Sequence, residues 1–411
     1  MTRYLYILSL AVVFSVLSAG TAFAQVAQPT YCQDLSASDC TLLTNSQAAM
    51  SKVTSGASQM DLSVLLRDIP TAPFKEIALD YAQETAFNVD QSVFDAIDEL
   101  KAMHPRQLQQ MVGNPQSLYG LISEMISGIS TDVAMTLDLS SELAMMLSEE
   151  SGVPLPENLQ FHMMLNDGAI YADLDSLAVF APEVSMLKGW MGVELQPLLD
   201  EAAKDTTSQL SSQEALEMST SLSYVNTGAS GPFLVSLSAA DPSGEYLQFV
   251  NIERLTDETV GGVQMAVFRS TFDYQTFFQS PIFRQLLKQV MENEGAAVSD
   301  GELEQIAGMA QMFGPMVMTT LELEVREWIG VEDNYLYNTS AVFKWDLSNI
   351  AALAAFGGDA LPIPQLEAGA RPYIGFELNS NSSDLNTDIT VAVPEGAVII
   401  PTEVLLQSAG Q

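Results

Sequence analysis

Few side chains in this sequence have the chemistry to act on a substrate. Two histidines occur in 411 residues, His104 before Pro105 and His162 in "LQFHMML". Neither stands in a metal-binding spacing such as HExxH, and both read as structural or surface groups. A nucleophilic serine usually sits in a recognisable turn, but no GxSxG occurs, and "GASG" at 228–231 reads as a loop. Pairs such as Asp138/Glu142, Asp173/Asp175 and Glu332/Asp333 have the right residue types for acid–base work on a glycoside. Among 52 acids such pairs arise by chance and point to no reaction. Asp167, Asp173 and Asp175 lack the alternating acids of an EF-hand loop. The chain therefore reads as non-enzymatic, with no metal or other cofactor. Asn338-Thr339-Ser340 and Asn381-Ser382-Ser383 match glycosylation sequons and matter only in a host that glycosylates.

Cys32 and Cys40, in "CQDLSASDC", are the only cysteines. In an exported chain so close a pair forms a local disulfide, which closes its loop for about 2–3 kcal/mol and pins a turn. A metal would need two further ligands, which the neighbourhood does not offer. Export itself is read from residues 1–24. Arg3 is followed by the apolar "YILSLAVVFSVLSA", and "AFA" before Gln25 is a small-x-small cleavage site. No lipid-attachment cysteine follows that site, and no second apolar run reaches membrane-spanning length. The expectation is a secreted, extracytoplasmic protein in the periplasm or outside the cell. Cleavage would leave 14 bases against 52 acids, a charge of −38. Such a surface repels nucleic acid, so a nucleic-acid partner is excluded. An apolar content of 47% is ample for a large core.

Elements able to position a site follow from periodicity. Residues 25–58 read as an N-terminal tether carrying the Cys loop, and 59–411 as the domain. Strands are expected in "MDLSVLLRDIP" and in "KEIALDYAQETAF", where Ile77, Leu79 and Tyr81 alternate with acids. Asp90 and Asn114-Pro115 open helices over "QSVFDAIDELKAM" and "QSLYGLISEMISGI". "TDVAMTLDLSSELAMML" returns to period two, and residues 159–174 form a hairpin about Asn166-Asp167-Gly168. A helix follows at 200–215, and "EYLQFVNIERL" is a strand. Phe278, Ile282, Leu286 and Val290 make one helical stripe, and Ser299 with Glu302 caps a further helix. Four strands close the chain: "TTLELEVREWIG", "NYLYNTSAVFKWDL", "RPYIGFELN" and "LNTDITVAVP". Runs of strands interrupted by two helical blocks indicate an α+β fold.

The stretch "TVGGVQMAVFRSTFDYQTFF" carries apolar residues on both strand registers, so both faces must meet something apolar. The 20 methionines cluster around such strands, and methionine suits irregular apolar surfaces. The order of several motifs resembles the LolA/LppX-like lipoprotein and lipid-carrier superfamily. Asp167, Gly168 and Tyr171 match its dG-x-x-Y hairpin, and Trp190, Met191 and Val193 match its Trp-containing strand. Gly261, Gly262, Ala266 and Arg269 match its later VDG-x-x-A strand. The resemblance spans about 130–400 and departs in the helical block at 90–130 and the missing lipobox. It implies a curved antiparallel sheet, a half-barrel of about ten strands, wrapped around inserted helices with an apolar cavity for acyl chains. The function expected is a non-enzymatic carrier for a lipid or other apolar ligand, and the alternative is an envelope protein with a filled core. The pocket would be lined by Phe161, Met163, Met265, Val267, Phe278, Ile282, Met309 and Met312.

Overall fold

The computed structural model describes residues 32, 35–177, 189–205, 247–293, 319–349 and 370–402, with isolated positions between 301 and 318. A few single positions near 70–73 and 105–113 lie outside the described residues, as do residues 1–24, the loop at 228–231 and the acyl-site candidate Met309. Thirteen strands form a single sheet, more than the ten expected. They are β1 (Ser55–Arg67), β2 (Glu76–Val89), β3 (Ile129–Leu139), β4 (Asn158–Asn166), β5 (Ala169–Asp173), β6 (Trp190–Glu194), β7 (Val250–Arg254), β8 (Glu258–Val260), β9 (Val263–Phe272), β10 (Leu321–Gly330), β11 (Leu336–Asp346), β12 (Tyr373–Ser383) and β13 (Val398–Ile399). Their spatial order is β13-β6-β5-β4-β3-β2-β1-β12-β11-β10-β9-β7, with β8 paired to β9. Every pairing is antiparallel except β13 with β6. The chain runs outward from β1 in one meander, returns, and comes back to β1 through β12.

The sheet is open and not strongly curled, which corrects the half-barrel. The physical reason lies in its regularity. Strong curl needs bulges or glycine kinks, and the ladders of the described residues shift register only between Trp328 and Ile329. Two hairpins have the turns their sequences demand. Asp167-Gly168 and Gly261-Gly262 take positive φ at both central positions, the mirror-image turn that matches strand twist.

Four helices pack on one face, called here the inner face. They are α1 (Ala37–Met50), α2 (Gln91–Ala102), α3 (Pro115–Ser127) and α4 (Ser141–Ser151). The first corrects the tether. Leu43 and Met50 of α1 are fully buried, in one core with Val93 and Ile97 of α2, Met125 of α3, Phe87 of β2 and Phe268 of β9. Ser36 caps α1 by accepting from the Asp39 N–H. The Cys32–Cys40 disulfide, with Cα atoms 5.6 Å apart, ties the chain to the first turn of α1. The fourth helix corrects the period-two reading of "SSELAMML". Alternation of Leu143, Met145 and Leu147 mimicked a strand, but Ser140 accepts from Leu143 N–H and Gly152 ends the helix left-handed. Ala144 then packs on Leu139 and Leu159.

Beyond these lie α5 (Leu195–Asp205), α6 (Tyr274–Gln279) and α7 (Pro281–Asn293). The expected single stripe from Phe278 is broken at Ser280-Pro281, where proline starts a new helix. Of "EYLQFVNIERL" only Val250–Arg254 is strand, preceded by a 3₁₀ turn at Leu247–Phe249. "LNTDITVAVP" is no strand either. Residues 384–397 form a strap across the outer face, held by side chains instead of a ladder. Asn386 Oδ1 accepts from Thr54 N–H at 2.7 Å, Asn88 Nδ2 donates to Ile389 O, and Asn166 Nδ2 donates to Val391 O. Val391 and Ala397, like Trp190, pack on the buried Met164, Ala169 and Tyr171 before the chain reaches β13.

Candidate apolar binding surface

Strand register assigns each side chain to a face. Along one rung, Met60 lies opposite Gln83 and Ser380, and the rung continues through Met135 to Phe161 and through Thr339 and Glu327 to Phe268. This is the inner face. Among the described strand residues it carries one carboxylate, Glu327, and one base, Arg254. The outer face carries Asp61, Asp80, Asp132, Glu253, Glu324 and Glu377, among others. In a chain with 52 acids such sidedness reflects the cost of desolvating charge on a face meant for apolar matter.

Three successive rungs of this inner face are apolar. Leu62 faces Tyr81 and Leu378; Val64 faces Leu79 and Phe376, which in turn faces Phe343; Leu66 faces Ile77 and Ile374, which faces Trp345. All but Ile77 are half-buried, and those on β1, β12 and β11 join none of the buried clusters. The helix-covered core occupies the opposite ends of these strands, at Phe87, Ile329 and Leu336, and α4 covers only β2–β4 beside them. The result is a field of partly exposed Leu, Val, Ile, Phe and Trp side chains about four strands wide, ~20 Å at ordinary strand spacing. Covering apolar area of this kind is favourable by roughly 25 cal/mol per Å² removed from water.

The residues expected to line a pocket do not come together. Phe161 and Met163 sit on the inner face of β4 with Val133, Met135 and Tyr81, so they border the field. Met265 and Val267 project from the outer face, opposite Phe268, although both are buried. There Val267 lies beside Trp328, whose indole donates to Glu258, and the 331–335 turn folds over Gly330 opposite Met265. This answers why β9 is apolar on both faces: Ala266 and Phe268 meet the helix-covered core, and Met265 and Val267 lie beside Trp328 and the 331–335 turn. Phe278 packs in a cluster with Phe277 and Phe283, the latter at 4.9 Å, and Ile282 is half-buried on α7. Met312 is 65% exposed. The residues missed, Leu62, Val64, Phe343 and Phe376, alternate plainly in "MDLSVLL", "SAVFKW" and "YIGFEL". Their signal was ordinary one-sided alternation on strands with no helix stripe to cover them.

His162 lies on the outer face, 2.6 Å from Asp132 and edge-on to Trp190. No group of three or more His, Cys, Asp or Glu that could hold a metal occurs among the described residues. Burial pushes the Tyr81 and Tyr274 hydroxyls up to about 12, and burial together with its hydrogen bond to Asp333 raises that of Tyr337. No described helix is long and apolar enough to cross a membrane.

Comparison with known proteins finds no matching family model and no matching curated protein. Solved structures that overlap this chain include the Mycobacterium tuberculosis lipoprotein LppX, at 9% identity and TM-score 0.23, over 86% of this chain and 100% of that one. A domain assigned to outer membrane lipoprotein sorting, from Vibrio parahaemolyticus, overlaps at 7% identity and TM-score 0.18, over 86% of this chain and 93% of that one. A DUF1329 family protein from Desulfovibrio piger overlaps at 7% and 0.18, over 89% and 95%. LppX bears one of the names of the superfamily that the sequence motifs resemble.

Proposed function

We propose that the protein is an exported, non-enzymatic carrier or binding protein for a lipid or other ligand with an acyl chain. The observation that carries this reading is the three-rung apolar field of β2, β1, β12 and β11, left half-buried beside a helix-covered core. The Cys32–Cys40 bridge supports an oxidising compartment outside the cytoplasm. The ligand would be held by van der Waals contact and burial and released without chemistry.

Native mass spectrometry of the protein purified from an exporting host, followed by solvent extraction, tests this. A stoichiometric lipid adduct is expected, and Phe343→Asp should lose it, since a carboxylate in the middle of the field must stay hydrated. A bare polypeptide mass that stays unchanged after incubation with lipid vesicles would favour the envelope protein with a filled core.

A further inference from the structure

Polarity on the inner face changes along the strands. One step from the apolar field come two rungs rich in uncharged polar groups and interrupted by Met60 of β1: Gln83 and Thr85 on β2, Ser58 on β1, Ser380 and Ser382 on β12, and Thr339 on β11. On β2 this band is connected. The Tyr81 hydroxyl, at the edge of the field, donates to Gln83 Oε1 at 2.5 Å, and Gln83 Nε2 donates to Thr85 Oγ1 at 2.8 Å. Gln83 and Thr85 are each 4% exposed. One rung further, Thr131 of β3 is 4% exposed, and its hydroxyl has no hydrogen-bond partner. Buried groups of this kind persist when something satisfies them. Here Gln83 keeps a second N–H, Tyr81 a lone pair and Thr85 a hydroxyl hydrogen. Nothing in the band is cationic. Arg254, the one base on the face among the described strand residues, is engaged by Asp257 at 2.5 Å and Asp39 at 3.4 Å.

We infer that this polar track receives the uncharged, hydrogen-bonding head of the ligand while its chains lie on the apolar field. The ligand class is then a neutral glycerolipid-like molecule with ester and hydroxyl oxygens. A phosphate or carboxylate head finds no counter-charge there and meets the field of an acidic protein. The inference rests on the carrier reading and narrows its ligand.

The test is native mass spectrometry of the delipidated protein with dioleoylglycerol or dioleoylphosphatidylglycerol, and with N-phenyl-1-naphthylamine as an apolar probe without a lipid head. Diacylglycerol should be retained at least about tenfold better than the anionic lipid. Thr85→Val and Gln83→Leu should each weaken it about tenfold, the effect of one lost hydrogen bond, and leave the probe unchanged. Thr85→Val keeps the shape of the side chain and removes only its hydroxyl, which keeps the test valid if Gln83→Leu folds poorly. Equal retention of both lipids, or variants that hold diacylglycerol like the parent, would overturn the inference while probe binding keeps the carrier reading. Loss of the probe in both variants would make the track a structural support and overturn it too. Failure of the parent protein to bind any of the three overturns the carrier reading itself.

Discussion

At the residue scale, single contacts decide what this sheet tolerates. Gly192 lies across from Tyr171, and a Cβ there would meet the Tyr171 ring at 2.6 Å. Gly192→Ala should therefore cost about 1–3 kcal/mol, because ring and strand must part. A lower urea midpoint with an unchanged slope is the result expected. Asp273 caps α6 by accepting from the Thr276 hydroxyl and N–H, which hold its carboxyl below the usual range. A depressed carboxyl stabilises the fold above its unfolded value and loses that contribution as pH falls through the folded value. Asp273→Asn keeps an acceptor without the charge, so it should flatten the stability loss below about pH 4. Midpoints that fall with pH as steeply as in the parent would contradict this. The passage into a helix at Asp273-Tyr274 was legible in the sequence, whereas its break at Ser280-Pro281 was not. The sequence equally suggested capping by Asp90 and Asn114, yet neither side chain bonds its helix.

At the element scale, period two and turn chemistry made most strands legible. β1, β2, β3, the β4–β5 hairpin and β9 through β12 stand where alternation put them. Two elements escaped for the same reason: their partners are distant. The helix α1 reads as a polar tether because its sequence, ASDCTLLTNSQAAM, shows no apolar stripe. Its place in the core comes from Leu43 and Met50, with Leu42 beside them, in a cluster that reaches to Phe268, Ile329 and Leu336 more than two hundred positions away. Reduction of Cys32–Cys40 should accordingly release the start of α1 and lower stability by about 2–3 kcal/mol, seen as a lower denaturation midpoint with reductant than without. The strap is the mirror case, since "DITVAVP" alternates like a strand but meets the ends of other strands crosswise. Asn386 anchors it to Thr54 and to the Tyr335 hydroxyl. Asn386→Ala should free it, exposing Met164 and Trp190, with a rise in hydrogen exchange across 384–397.

At the scale of the whole molecule, the sequence carried the α+β class, the disulfide and the preference for apolar surface, while curvature was beyond it. Curl depends on bulges and packing that no single segment encodes, and the long regular ladders here leave the sheet open. The site was legible only as composition. Counting methionines drew attention to both faces of β9, whereas the inner face is set by register across strands far apart in sequence. Register between β1 and β12 has a further consequence, for the order in which the chain is made. β1 lies in the middle of the finished sheet, but one of its neighbours, β12, is among the last segments synthesised; Thr54 and Asn386, which bond at that seam, stand 332 residues apart. Until the C-terminal part emerges, β1 keeps one bare edge, and the two meanders cannot join. Closing so long a loop is slow. A chain that remains two unjoined halves during synthesis stays unfastened at its centre until its last segments arrive.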